Sequence, residues 1–297
     1  MRSRNKDAET CDREKFSLQE KICFIQSIKG RQDLVPKSIK NSIDPEFYFK
    51  ATEDLKRGGK DCPESDEIRT AEMVDRVSFR REKYLASEVG KIVKYFNPLA
   101  RNLLDIGSGY GQIPFMLNET LNIDVFGVEI YEKYARYMPM ILNPVRGTVN
   151  FLPYRQDYFD VISALSVLEH IQPSELIASL SEIFRTVKWG GIFIVQVPNM
   201  NFPIEVHSRL PFQQYLPRSL GKKYYHLVTG RDQELVNWWR TSHRKILHTA
   251  KTTGFSLLSY YQFHYPAELY PTVAQIFSPL MAVVPLDYFL VFRKYLL

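Results

Sequence analysis

The chain has 297 residues, of which 45% are hydrophobic, 24% charged and 13% aromatic. That balance supplies a sizeable core and excludes a wholly disordered chain, a collagen repeat or a coiled coil. Lys and Arg outnumber Asp and Glu by 39 to 33, a formal charge of +6, so the surface is slightly basic and suits an acidic substrate or a membrane face. There is no Lys- or Arg-rich run with interleaved aromatics, so no nucleic-acid groove is expected.

The three cysteines, Cys11, Cys23 and Cys62, form no CxxC pair. An odd number is no disulfide framework, and a reducing compartment, the cytoplasm, is the expectation. The first residues alternate acids and bases without an apolar stretch, unlike a secretory signal. Between Glu268 and Asp287 no charge occurs, but Pro271, Pro279 and Pro285 interrupt the run. Each proline breaks the backbone bonding that a lipid-spanning helix must satisfy, so the stretch reads as an apolar flap or interfacial loop. Peripheral membrane contact stays open on that reading.

In chain order, residues 1–70 read as a helical extension, with Leu18, Ile22, Ile25 and Ile28 at helical spacing. Residues 71–297 then form the main domain. A long helical pattern from Ile68 to Phe96 ends at Asn97-Pro98. Strand and helix alternate after it: strand Leu103–Ile106, helix Gln112–Thr120, strand Asp124–Ile130, and a helix around Glu132–Met138. A third strand is expected within Ile141–Asn150, although Pro144 sits in its middle. Strand Phe159–Leu165 and helix Ser174–Val187 follow, with Gly190-Gly191 after that helix and strand Ile192–Val197 next. Such alternation predicts an α/β fold, a parallel sheet covered by helices on both faces. The segment 199–239, rich in Pro, aromatics and His, breaks the rhythm and reads as an inserted lid. Helix His243–Thr253 and strand Phe255–Tyr261 resume it, a second insert covers 262–286, and strand Tyr288–Phe292 comes last. No full crossover helix is evident between the last two strands, so the final strand is predicted to return antiparallel.

The sharpest signal is the run Leu103-Leu104-Asp105-Ile106-Gly107-Ser108-Gly109-Tyr110-Gly111. A buried strand enters a glycine-rich turn and leaves in a helix, the context in which backbone can approach a nucleotide-like ligand closely. Glu129 ends the next strand about 20 residues on, where a carboxylate can accept the ribose hydroxyls. A dinucleotide turn would read GxGxxG, but residue 112 is Gln. Asp105 also stands two residues before the first glycine, a poor neighbour for a pyrophosphate and a good one for a cation. These features disfavour a dehydrogenase and favour S-adenosylmethionine, which carries a sulfonium and an ammonium.

The segments DIGSGYG, GVE, LPYRQDYFDVISALSVLEHI and FRTVKWGGIFIVQVPN together resemble the class I S-adenosylmethionine-dependent methyltransferases. The resemblance covers about residues 80–261 plus the final strand. It is nearest to the branch containing ubiquinone-biosynthesis O-methyltransferases and bacterial sugar or glycan methyltransferases. It implies a Rossmann-like, seven-stranded, mostly parallel sheet with the last strand inserted beside Ile192–Val197. It further implies that Asp105, Gly107, Ser108, Gly109 and Glu129 hold the cofactor, with Ile130 beside the adenine. Thr148 stands where the family carries an adenine-binding Asp, and offers one hydroxyl in its place. Leu165 and Ser166 would line the methionine side. A third metal ligand, a Glu in some quinone methyltransferases of this branch, is replaced by Ser166, so no catalytic metal is expected.

Transfer to a hydroxyl needs a base as well as alignment, and His is the usual one. His170, in Leu168-Glu169-His170, and His207, early in the first insert, are the candidates. The resulting expectation is O-methylation of a sugar, glycan or lipid-linked precursor. A small-molecule methyltransferase of quinone or secondary metabolism, and a cofactor-binding module without catalysis, are the alternatives.

Overall fold

A computed structural model describes residues 79–295 except 132–133, 136–137, 139–141, 206–209, 231–240 and 266–283. The expected extension at 1–70, the candidate base His207 and most of the second insert therefore lie outside the described residues.

Helix α1 spans Phe79–Phe96. Its buried side chains Leu85, Ala86, Val89, Ile92 and Val93 recur at helical spacing and form one face. Strand β1, Asn102–Ile106, helix α2, Gln112–Leu121, and strand β2, Asp124–Glu129, follow. Strand β3 is only Val145–Arg146. It starts directly after Pro144, which has no amide hydrogen to give to a ladder. Of the helix expected around 132–138, Tyr134 and Ala135 are helical.

Strand β4, Phe159–Leu165, and helix α3, Leu176–Thr186, agree closely with expectation. Strand β5 does not, because it runs Val187–Pro198 and contains Gly190-Gly191 rather than following them. Register with β4 slips between the Phe159–Val187 and Val161–Ile192 pairs, so the glycines form an irregularity inside the strand. A Cβ on Gly191 would stand 2.9 Å from the Lys188 carbonyl oxygen, and Gly190 has φ +79°. The first insert also contains regular structure that the sequence pattern did not suggest, a 3-10 turn at Gln213–Tyr215 and helix α4, Arg218–Thr229. Helix α5, His243–Thr252, starts on a Ser242 cap whose hydroxyl accepts the Lys245 amide. Strands β6, Phe255–Phe263, and β7, Asp287–Lys294, complete the chain, so Gln262 and Phe263 belong to a strand and not to the second insert.

The seven strands lie in the order β3-β2-β1-β4-β5-β7-β6. β1 to β5 are parallel, and β7 runs antiparallel to both β5 and β6. This is the Rossmann-like arrangement expected, with the last strand inserted beside β5. Alternation along each strand builds two core layers. Leu103, Val125, Val161 and Phe289 pack towards α1 and α2, while Leu104, Phe126, Ile162 and Phe292 pack with Leu180 of α3 and Ile246 of α5. Each such side chain contributes about 1.5–3 kcal/mol on burial. The chain order reverses at β1, whose neighbours are β2 and β4. Open α/β sheets bind ligands at that switch, beyond the carboxyl ends of the strands.

Candidate functional site

The glycine-rich turn sits at that switch. The amides of Gly107 and Ser108 both donate to the Val128 carbonyl of β2, at 2.8 and 3.2 Å. Gly107 has φ +70°, and a Cβ there would come within 2.4 Å of Val167 Cγ2. Gly109 also has positive φ, but nothing lies within 4 Å of where its Cβ would be. The turn is thus packed on one side and open on the other, where ligand atoms can meet backbone.

Two carboxylates flank it. Glu129 is buried at the end of β2. Its Oε2 accepts the Gly109 amide at 2.9 Å and its Oε1 the Tyr131 amide at 3.0 Å. Burial pushes its pKa up, against the amide bonds that favour the charged form. The Ile130 amide adds a third bond, and the carboxylate keeps acceptor capacity beyond these for a hydroxyl of a ribose. Asp105 is deeper, only 3% exposed. Its Oδ1 accepts the Ser163 hydroxyl at 2.6 Å, and its backbone carbonyl accepts the Ser108 hydroxyl at 2.6 Å. Burial pushes its pKa up to about 7, with Glu129 adding to the rise and the serine hydroxyls opposing it.

Ile130 follows Glu129 and is 45% exposed, an apolar surface at the mouth of the site. The turn after β3 is tied to the same strand end, since the Gly147 amide donates to the Glu129 carbonyl at 3.0 Å. Thr148 is in that turn, where its hydroxyl accepts the Asn150 amide at 3.4 Å. Asp105, Gly107, Ser108, Gly109, Glu129, Ile130 and Thr148 therefore gather at the ends of β1, β2 and β3. Leu165 and Ser166 stand at the end of β4, on the far side of the switch.

Ser166 leads to a polar cluster that sequence reasoning did not find. It has φ +56°, and its hydroxyl donates to Gln196 Oε1 and accepts from Arg81 Nη2, each at 2.8 Å. Arg81 Nε donates to the Tyr265 hydroxyl at 3.2 Å, and the guanidinium stands 3.9 Å from Asp287. Burial works against the Arg81 charge, but Tyr265 and Asp287 outweigh it and hold the guanidinium protonated. Burial raises the Asp287 pKa more than Arg81 lowers it. Two signals were available in the sequence: Gln196 is a lone polar residue in an apolar strand, and Asp287 ends the charge-free stretch. Nothing marked Arg81, whose helix face looks solvated by pattern alone.

His170 lies on a 3-10 turn, Leu168–His170, just past Ser166. Its imidazole is 34% exposed and 3.9 Å from the buried Glu169 carboxylate. His243 is packed instead, with its ring 4.0 Å from that of Tyr288, and burial lowers its pKa.

A glycine turn open on one side, a buried acid bonded to it, and a Rossmann-like sheet with an antiparallel penultimate strand form a site suited to a nucleoside-bearing ligand. The model of a family described as "Methyltransferase domain" matches residues 77–260. The chain belongs to that methyltransferase family and is an enzyme of it. Among solved structures it is similar to the PH0226 protein of Pyrococcus horikoshii, at 16% identity and TM-score 0.52 over 73% of this chain and 94% of that one. A SAM-dependent methyltransferase from Archaeoglobus fulgidus is 18% identical with TM-score 0.46, covering 72% of this chain and 94% of its own. Phosphoethanolamine N-methyltransferase 2 of Haemonchus contortus, solved with S-adenosyl-L-methionine, is 16% identical with TM-score 0.48, over 75% and 61%. No curated protein matches the sequence. The residues present fit S-adenosylmethionine: Gly109 leaves room for it, Glu129 offers carboxylate oxygens, Ile130 an apolar face and Asp105 a negative charge.

Proposed function

We propose that the protein is an S-adenosylmethionine-dependent O-methyltransferase acting on a sugar, glycan or lipid-linked precursor, working in the cytoplasm and at the membrane periphery. The observation that carries the donor assignment is the Glu129–Gly109 bond beside the open face of the turn. Glu129 and Ile130 would hold the nucleoside, Thr148 would lie by its base, and Leu165 and Ser166 would bound the methionine end. Bound there, S-adenosylmethionine supplies an electrophilic methyl group on a good, neutral leaving group. The chain's task is then to align the acceptor, keep water away and take up the acceptor's proton.

His170 stands at the rim past Ser166, exposed enough to meet an acceptor hydroxyl. Glu169 beside it stabilises the imidazolium formed when the proton arrives. The hydroxyl-acceptor reading rests on this pair. The bulky-acceptor reading rests on the aromatic and cationic residues of the first insert, among them Phe212, Tyr215, Lys222 and Lys223, which suit an amphipathic or anionic group.

The test is transfer of labelled methyl from S-adenosylmethionine to fractionated glycans, lipid-linked sugars and quinones. Label in the glycan or lipid-linked fraction is expected, and His170→Ala should lower turnover by about 10²-fold or more with donor affinity unchanged. Label confined to quinones, or an unaffected His170→Ala enzyme, would overturn the acceptor and base assignments respectively.

A further inference from the structure

Helix α4, Arg218–Thr229, is poorly explained by folding alone. It leaves Leu220, Leu227 and Val228 exposed at 50%, 84% and 54%. Those positions fall at i, i+7 and i+8, with Tyr224 at i+4 between them, so they share one face. Of the helix residues whose burial is described, only Gly221 is buried, resting on the 3-10 turn, where its carbonyl accepts Gln213 Nε2 at 3.0 Å. The turn adds Phe212 and Tyr215, exposed at 62% and 54%.

The charges are one-sided. From Leu210 to Gly230 there is no Asp or Glu, whereas Arg218, Lys222 and Lys223 are all cationic. Lys222 and Lys223 are exposed, and Lys223 stands a turn from both Leu220 and Leu227, at the border of the apolar strip. Cations in the first half of a helix oppose its dipole, and no acid balances them in the first turn. The arrangement therefore weakens an isolated helix and suits a negatively charged partner with an apolar layer beneath.

We propose that α4 lies flat on an anionic lipid bilayer, its apolar strip in the acyl boundary and Lys223, at the border of that strip, among the headgroups. An interfacial helix needs a strip of this kind, a cationic border and low overall hydrophobicity. No helix among the described residues is long and apolar enough to span. The first insert leaves the sheet at the end of β5, the edge that carries the glycine turn and Ser166. A bilayer under α4 would therefore lie beside the rim where the acceptor is read. In this the proposal rests on the lipid-linked reading above, although membrane seating and methyl transfer are separately measurable.

The experiment is co-sedimentation of the full chain with vesicles of phosphatidylcholine and phosphatidylglycerol, against phosphatidylcholine alone. Binding to the anionic vesicles only, and its loss at high salt, is expected. Leu227→Glu and the pair Lys222→Glu, Lys223→Glu should each weaken binding at least tenfold while S-adenosylmethionine affinity is unchanged. If Leu227→Glu also loses the donor, its fold is damaged and the lysine pair decides. Wild-type protein left in the supernatant, or variants that bind like wild type, overturns the proposal. A dimer in solution that Leu227→Glu dissociates would give the strip to a second copy and also overturns it. Vesicle binding without methyl transfer to any lipid-linked acceptor would overturn the acceptor reading and leave the seating intact.

Discussion

Asp105 carries a linkage of definite sign. Its pKa is raised by burial from an ordinary 3.8 to about 7. Between those values the folded protein keeps a proton that the unfolded chain has given up, so stability falls as pH rises through the window and levels above it. Asp105→Asn should flatten that dependence in denaturation curves measured between pH 4 and 7, a span set by the same two values. A cationic ligand opposes burial by favouring the carboxylate. Donor affinity should therefore rise with pH up to about 7 and binding there should release a proton, read by calorimetry in two buffers of different ionisation enthalpy. Binding with no proton release would place Asp105 beyond the ligand's field. The motif pointed to this residue as an acid suited to a cation. The hydrogen bond it accepts from Ser163 was not legible, since it depends on β4 lying beside β1, a pairing between residues far apart in the chain.

At the scale of elements, Lys294 illustrates how charge can be structural. It is 1% exposed at the end of β7, donates to the carbonyls of Phe184 and Val187 at 2.7 and 2.9 Å, and pairs with Asp157. It thereby satisfies the end of α3, where a helix leaves carbonyls unpaired and favours a cation. Lys294→Met should cost about 2–4 kcal/mol, the penalty of two buried carbonyls without a donor, seen as a lower denaturant midpoint. A loss under about 0.5 kcal/mol, the range of ordinary surface changes, would show that water replaces the amine. The same end of α3 explains where pattern reading failed. Gly190-Gly191 looked like a helix stop, but a strand can absorb two glycines where it slips register against its neighbour. Pro144 was correctly troublesome, shortening β3 to the residues after it. Helix α4 escaped notice because its apolar strip was read as aromatic lid content instead of helical spacing.

The whole molecule was the most legible scale. Alternating periodicities of strand and helix indicated the sheet class, and the lack of a full crossover-helix pattern in the sequence between Tyr261 and Tyr288 foretold the antiparallel β7 that the sheet contains. The grouping of Gly107, Gly109 and Glu129 was legible because these residues are local to a turn and one strand end. The cluster of Arg81, Gln196, Tyr265 and Asp287 did not, because it is assembled from α1, β5, β7 and the residues after β6. The account's central claim is that the turn and Glu129 together hold S-adenosylmethionine, and calorimetry of the full chain tests it most directly. Micromolar binding, about −8 kcal/mol, is expected for the wild type, and Glu129→Ala should weaken it at least about tenfold. Tight binding of NAD with no response to S-adenosylmethionine, or a Glu129→Ala protein that binds the donor like wild type, would contradict it.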